Sequence, residues 1–117
     1  MRYIESYLHQ RRIGVLVEFE TPYNSTLQSD EFQTLAHDIA MHIVATNPLG
    51  IDREKMLRAI PVALRPDATD VEERALLQQA FIKNPAITIS ELIEETSQAL
   101  DTTISVTRFV RFDVDDN

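Results

Sequence analysis

Between Asp30 and Thr46 the chain reads D-E-F-Q-T-L-A-H-D-I-A-M-H-I-V-A-T. Phe32, Leu35, Ala36, Ile39, Ala40, Ile43 and Val44 recur at steps of three and four. That spacing predicts one long amphipathic helix with a single apolar stripe. Asp30, with Gln33 three places on, is the expected cap of its first turn. Asn47-Pro48 ends it, because the residue before a proline is pushed out of the helical region. Such a stripe can cover one face of a sheet, and the flanking segments carry the period of two that a sheet needs.

Arg2 to His9 alternates Tyr3, Glu5, Tyr7 and His9 with Ile4, Ser6 and Leu8, which predicts a strand with one half-wet face. Gln10-Arg11 connects it to Arg12–Glu20. There Ile13, Val15, Val17 and Phe19 share a face and Leu16 is apolar on the other, as a central strand requires. Gly14 permits a close approach or a bulge. Thr21 to Ser29 is polar and proline-bearing, hence a loop. A short helix is expected from Asp52, broken by Pro61 and Pro66. Thr69-Asp70-Val71-Glu72 reads as a capping box before another short helix, Glu73–Ala80. Asn84-Pro85 reads as a turn. Thr88-Ile89-Ser90-Glu91 is a further capping box, opening a helix to about Leu100 with Ile89, Leu92, Ile93, Thr96 and Leu100 on one face. In Thr103–Val114, Ile104, Val106, Val110, Phe112 and Val114 are expected on one face, interrupted by Arg108. The order strand, strand, helix, short helices, helix, strand predicts an α+β fold: a small antiparallel β-sheet of about three strands backed by helices on one face.

The 117 residues suffice for one domain with a core, so 1–117 is read as a single domain. Without a cysteine, neither disulfides nor thiolate metal sites can form. A formal charge of −8 argues against nucleic acid or an anionic membrane as the main partner. No apolar run is long enough for a bilayer and no signal peptide is recognisable, so the expected compartment is the cytoplasm or an organellar matrix. The sequon Asn24-Ser25-Thr26 has no secretory context to act in.

Chemistry-bearing residues are few. His37 and His42 lie five apart and cannot share a helical face as a ligand pair; hydrogen-bonding residues on the helix flank are expected instead. With only Gly14 and Gly50 in the chain, no phosphate-cradling glycine loop is available. Glu94-Glu95 and Asp113-Asp115-Asp116 read as solvated carboxylates, with an enzyme built on them the weakest reading. Tyr3 and Tyr7 read as half-buried sheet residues, with a contact surface as the alternative. These residues describe a binding domain, with no covalent chemistry, no metal and no cofactor.

Y-L-H-Q-R-R-I-G-V-L-V-E (Tyr7 to Glu18) and E-F-Q-T-L-A-H-D-I-A-M-H-I-V-A-T-N-P (Glu31 to Pro48) resemble the core domain of bacterial and organellar elongation factor Ts. L-L-Q-Q-A-F-I-K-N-P (Leu76 to Pro85) and R-F-V-R-F-D-V (Arg108 to Val114) do so in the same order. The resemblance implies an antiparallel sheet backed by helices, binding to an elongation factor Tu-type GTPase, and release of its GDP. It implies that His9, within Tyr7-Leu8-His9, contacts the GTPase. The family's Thr-Asp-Phe loop, whose phenylalanine wedges near the magnesium site, falls ungapped on Tyr23, Asn24 and Ser25; a gapped match puts Thr21-Pro22-Tyr23 there. Either way the wedge is altered. Family members begin with a helical ubiquitin-associated-type module, which is not expected here, and the helical insertion between Asp52 and Leu76 is expected to be short. Short family members pair, so a homodimer through the sheet surface or an edge strand is implied. The alternative is a paralogue that kept the fold as an adaptor without exchange activity.

Overall fold

Strand β2, Ile13–Glu20, lies at the centre because it is apolar on nearly both faces: Val15, Val17 and Phe19 point into the core and Leu16 points away. The computed structural model describes residues 1–58 and 74–116. β1, Arg2–His9, and β5, Ser105–Asp113, flank β2 in an antiparallel sheet of three strands, as expected. The first pairing runs from Arg2 opposite Glu20 to His9 opposite Ile13. The second runs from Ile13 opposite Asp113 to Glu20 opposite Ser105.

The helix over the sheet, α2, spans Asp30–Thr46, and every member of the expected stripe is buried. Phe32 stands edge-on to Tyr3 and Phe19, with ring centroids 5.2 and 5.5 Å away. Its cap differs from expectation. Ser29 is the N-cap and its hydroxyl accepts the Phe32 N–H at 3.1 Å, while Asp30 is already helical. Gln33 turns back instead, donating to the Leu27 carbonyl at 2.8 Å. Asn47, at φ 48°, closes the helix in the left-handed conformation that asparagine tolerates. Before it, the expected loop contains one helical turn, α1, Asn24–Leu27.

Beyond α2, Arg53–Arg58 forms the short helix α3, and the Asp52 carboxylate accepts the Glu54 N–H at 2.7 Å. The expected breaks at Pro61 and Pro66 and the capping box Thr69–Glu72 lie outside the described residues. The helix expected to reach Ala80 is not found among the described ones. Leu76–Gln78 is a 3₁₀ turn, and Ala80–Phe81 is strand β3, paired with β4, Asn84–Thr88. The turn of this hairpin is Ile82-Lys83, with Asn84-Pro85 already in the strand, because the hairpin is fastened from outside. Ile82 N–H donates to His42 Nδ1 at 3.3 Å and Lys83 Nζ reaches Asp38 at 3.0 Å. The last helix, α4, Ile89–Ala99, has the expected capping box between Thr88 and Glu91.

The last strand corrects the face assignment. Pairing with β2 shifts register between Glu18 and Phe19. A bulge adds one residue, here Thr107, and exchanges the faces beyond it. Val106 therefore points into the core, whereas Val110 and Phe112 point away, and Phe109 and Arg111 take the inner face. Gly14 is not at that bulge. A Cβ there would meet only Leu8 Cδ1 at an ordinary 3.7 Å.

His42 sits fully buried in the core, not on the helix flank. Its Nε2 lies 2.9 Å from Gln79 Oε1 while its Nδ1 accepts from Ile82, so the neutral ring is satisfied at both nitrogens. Burial pushes its pKa below the ordinary value, partly opposed by the Gln79 bond. The unfolded chain then binds a proton first as pH falls, so stability is complete above about pH 7 and declines as pH drops through about 6.5. Melting curves from pH 8 to 5 should show this decline in the wild type, and His42→Gln should flatten it. Glu18, held below its ordinary range, loses its own contribution only at more acidic pH, below about 4.5.

Candidate partner-docking surfaces

The β1–β2 turn presents the first candidate surface. Gln10 and Arg11 both have positive φ, 54° and 61°. Two consecutive residues of that kind make the turn that a right-twisted hairpin favours, normally with asparagine or glycine. The Arg12 N–H donates to the His9 carbonyl at 2.9 Å, and the Arg12 guanidinium grips Asp115 through both carboxylate oxygens, at 2.9 and 3.0 Å. His9 ends β1 on the helix-bearing face, half-buried. Its Nδ1 is 3.2 Å from the Tyr7 hydroxyl. Tyr7 is also half-buried, packed on the core, and its ring meets His37 of α2. Neither residue is sealed inside.

The second candidate, Tyr23 to Ser25, is exposed, with Tyr23 at the N-cap of α1 and 59% accessible. Thr21 and Thr26 on either side are buried and anchor the segment. The structure does not bring this segment to His9. Arg2 pairs with Glu20 and His9 with Ile13, so the two lie at opposite ends of the strands, about 25 Å apart at roughly 3.3 Å per residue.

A third surface is larger than the sequence suggested. On the side of the sheet away from α2, Ile4, Leu8, Leu16, Val110 and Phe112 are all exposed, Phe112 at 71%. Gly14 lies between Leu8 and Phe112 in the pairing, so no side chain fills that position. A dent of about 260 Å³ opens beside Ile4, Leu16 and Val110. At its edge Glu18 is clamped by Arg108 at 3.1 Å, Arg2 at 3.3 Å and the Thr107 hydroxyl at 2.7 Å. The hydrogen bonds from Thr107 and Arg108 hold its carboxyl below the usual range. A contiguous apolar face of this kind marks a contact surface more strongly than scattered apolar side chains do. Two signals pointed to it, Leu16 on the second face of a central strand and Ile4 with Leu8 opposite the tyrosines. The third, Val110 with Phe112, was obscured by the bulge.

The carboxylates among the described residues are solvated or paired. Glu94 and Glu95 are exposed, and Asp113 and Asp115 pair with Arg111 and Arg12. Asp30, Glu31 and Asp38 line a groove between α2 and α4, but Asp38 is bound to Lys83 and the other two open α2, where its dipole favours them. Among the described residues no three His, Asp or Glu side chains gather as a metal site, and no helix is long and apolar enough to cross a membrane.

The fold is an α+β layer, and it leaves three regions accessible: the His9 end of β1, Tyr23–Ser25 and the outer sheet face. Comparison with known proteins gives it a family. Residues 1–61 match the family described as Elongation factor TS. Elongation factor Ts of Alkaliphilus metalliredigens is 34% identical over 95% of this chain and 62% of the relative; that of Carboxydothermus hydrogenoformans is 36% identical over the same shares. Elongation factor Ts of Desulfotalea psychrophila is 31% identical over 95% of this chain and 68% of its own length. The chain belongs to the elongation factor Ts family, and it spans 62% of the length of the first two of these relatives.

Proposed function

We propose that this chain, folded as one domain over residues 1–117, binds a Tu-type translational GTPase in the cytoplasm or an organellar matrix and promotes release of its GDP during elongation. The family match over residues 1–61 and over 95% of the chain is the observation that carries this reading, and the accessible His9 at the end of β1 supports it. His9, with Tyr7 packed beside it, meets the partner at one end of the sheet; Tyr23, Asn24 and Ser25 meet it at the other. Exchange then works by displacing the partner's grip on phosphate and magnesium, with no covalent chemistry, cofactor or metal contributed by this chain. Neither nucleic acid nor membrane is a direct partner of so acidic a chain.

The working unit is a homodimer joined through the outer sheet face. That face exposes Ile4, Leu8, Leu16, Val110 and Phe112 together, and its one buried carboxylate, Glu18, is paired with Arg2 and Arg108, so no uncompensated buried acid opposes the approach of a second copy. If the two copies run antiparallel, the His9 end of one lies beside the Tyr23–Ser25 segment of the other.

A second reading, an adaptor without exchange activity, is favoured by Ser25, a small hydroxyl where the ungapped match places the family's aromatic wedge. Release of fluorescent GDP from a Tu-type GTPase separates the two. The exchange reading expects acceleration by this chain, reduced about tenfold or more by His9→Ala. Binding without acceleration would leave the adaptor.

A further inference from the structure

We propose that Tyr7 and His37 are positioning residues for His9: the Tyr7 hydroxyl donates to His9 Nδ1 and fixes the tautomer whose Nε2–H is offered to an acceptor on the partner. This rests on the reading that His9 meets the partner, and it deepens that reading by naming the chemistry His9 demands. Tyr7 and His9 fall on the same face of β1, with the hydroxyl 3.2 Å from Nδ1. Their rings are 24° from parallel with centroids 5.9 Å apart. His37, from α2, leans on the same tyrosine ring at 5.5 Å and 36°. Tyr7 packs against the core, so its ring is held by the fold itself.

The backbone beneath His9 is equally fixed. His9 is the last paired residue of β1, opposite Ile13, and its carbonyl takes the Arg12 N–H across the tight turn. A surface imidazole ordinarily loses rotamer freedom, and its choice of tautomer, when it docks. Here both are settled beforehand. The group presented is a donor, so the partner must supply a carbonyl, carboxylate or phosphate oxygen; an ammonium or guanidinium would set N–H against N–H.

Two readouts test this on the whole chain. Imidazole ¹⁵N spectra of the free protein at pH 8 report the tautomer, and titration with a GDP-bound Tu-type GTPase reports affinity. His9 is expected as the Nε2–H tautomer. Tyr7→Phe, which keeps the ring and its stacking, is expected to mix the tautomers and weaken binding about fivefold, the worth of one net hydrogen bond. His37→Ala is expected to do the same to a smaller degree. In a His9→Ala background Tyr7→Phe is expected to change nothing further. An equal loss in that background, or a tautomer unmoved by Tyr7→Phe, would overturn the proposal. The spectrum needs no partner, so it judges Tyr7 separately from the docking reading, which falls if His9→Ala leaves binding unchanged.

Discussion

Phe32→Ala is expected to destabilise the fold by about 3–5 kcal/mol and to lower the melting temperature by roughly 10–20 °C. Phe32 is fully buried at the start of α2, where three elements meet. Its ring stands at 81° to both Tyr3 of β1 and Phe19 of β2, the edge-to-face arrangement that adds to simple area burial. Truncation would leave a cavity under the first turn, which the Ser29 cap and the Leu27–Gln33 bond hold in place and keep from collapsing. Phe32→Leu, which retains most of the volume, should cost far less. Denaturant unfolding measures both; a loss below about 1 kcal/mol for Phe32→Ala would mean that α2 is not the element on which the sheet is packed.

Phe112→Asp is expected to convert a dimer into a monomer while leaving the melting of the single chain nearly unchanged. The side chain is 71% exposed in one copy, so its loss removes little intramolecular packing. Between two copies it would hold the His9 end of the apolar face, beside Leu8 and the open position at Gly14. A two-fold interface repeats each substitution, so a loss of about 2 kcal/mol per copy becomes about 4 kcal/mol per dimer, roughly a thousandfold in affinity. Sedimentation across micromolar concentrations reads this directly. A wild-type chain that stays monomeric at high concentration, or a variant that still pairs, would remove the outer face from the interface.

Much of the fold was legible because periodicity and burial agree. The stripe on α2, the two-sided apolar pattern of β2 and the Thr88–Glu91 box each correspond to an element with little ambiguity. The misreadings share a cause: long-range contacts overrode a local preference. Ser29 displaced Asp30 as cap, since Gln33 was drawn towards Leu27 and Tyr3. His42 and Asp38, both on α2, fixed the β3–β4 turn at Ile82-Lys83, two residues before Asn84-Pro85. Thr107 inverted the faces of β5, and nothing in an alternating run of residues announces a bulge. For the candidate surfaces the sequence carries which side chains share a face, but not how the surfaces are laid out. Tyr7 and His9 alternate onto one face as strand geometry demands, whereas the distance from them to Tyr23–Ser25 depends on how strands pair.

The most direct test is a titration of the whole chain into a nucleotide-free Tu-type GTPase, followed by calorimetry or sedimentation. A saturable complex, weakened at least tenfold by His9→Ala, is the expected result. No complex at tens of micromolar, or one indifferent to both His9 and the Tyr23–Ser25 segment, would contradict it.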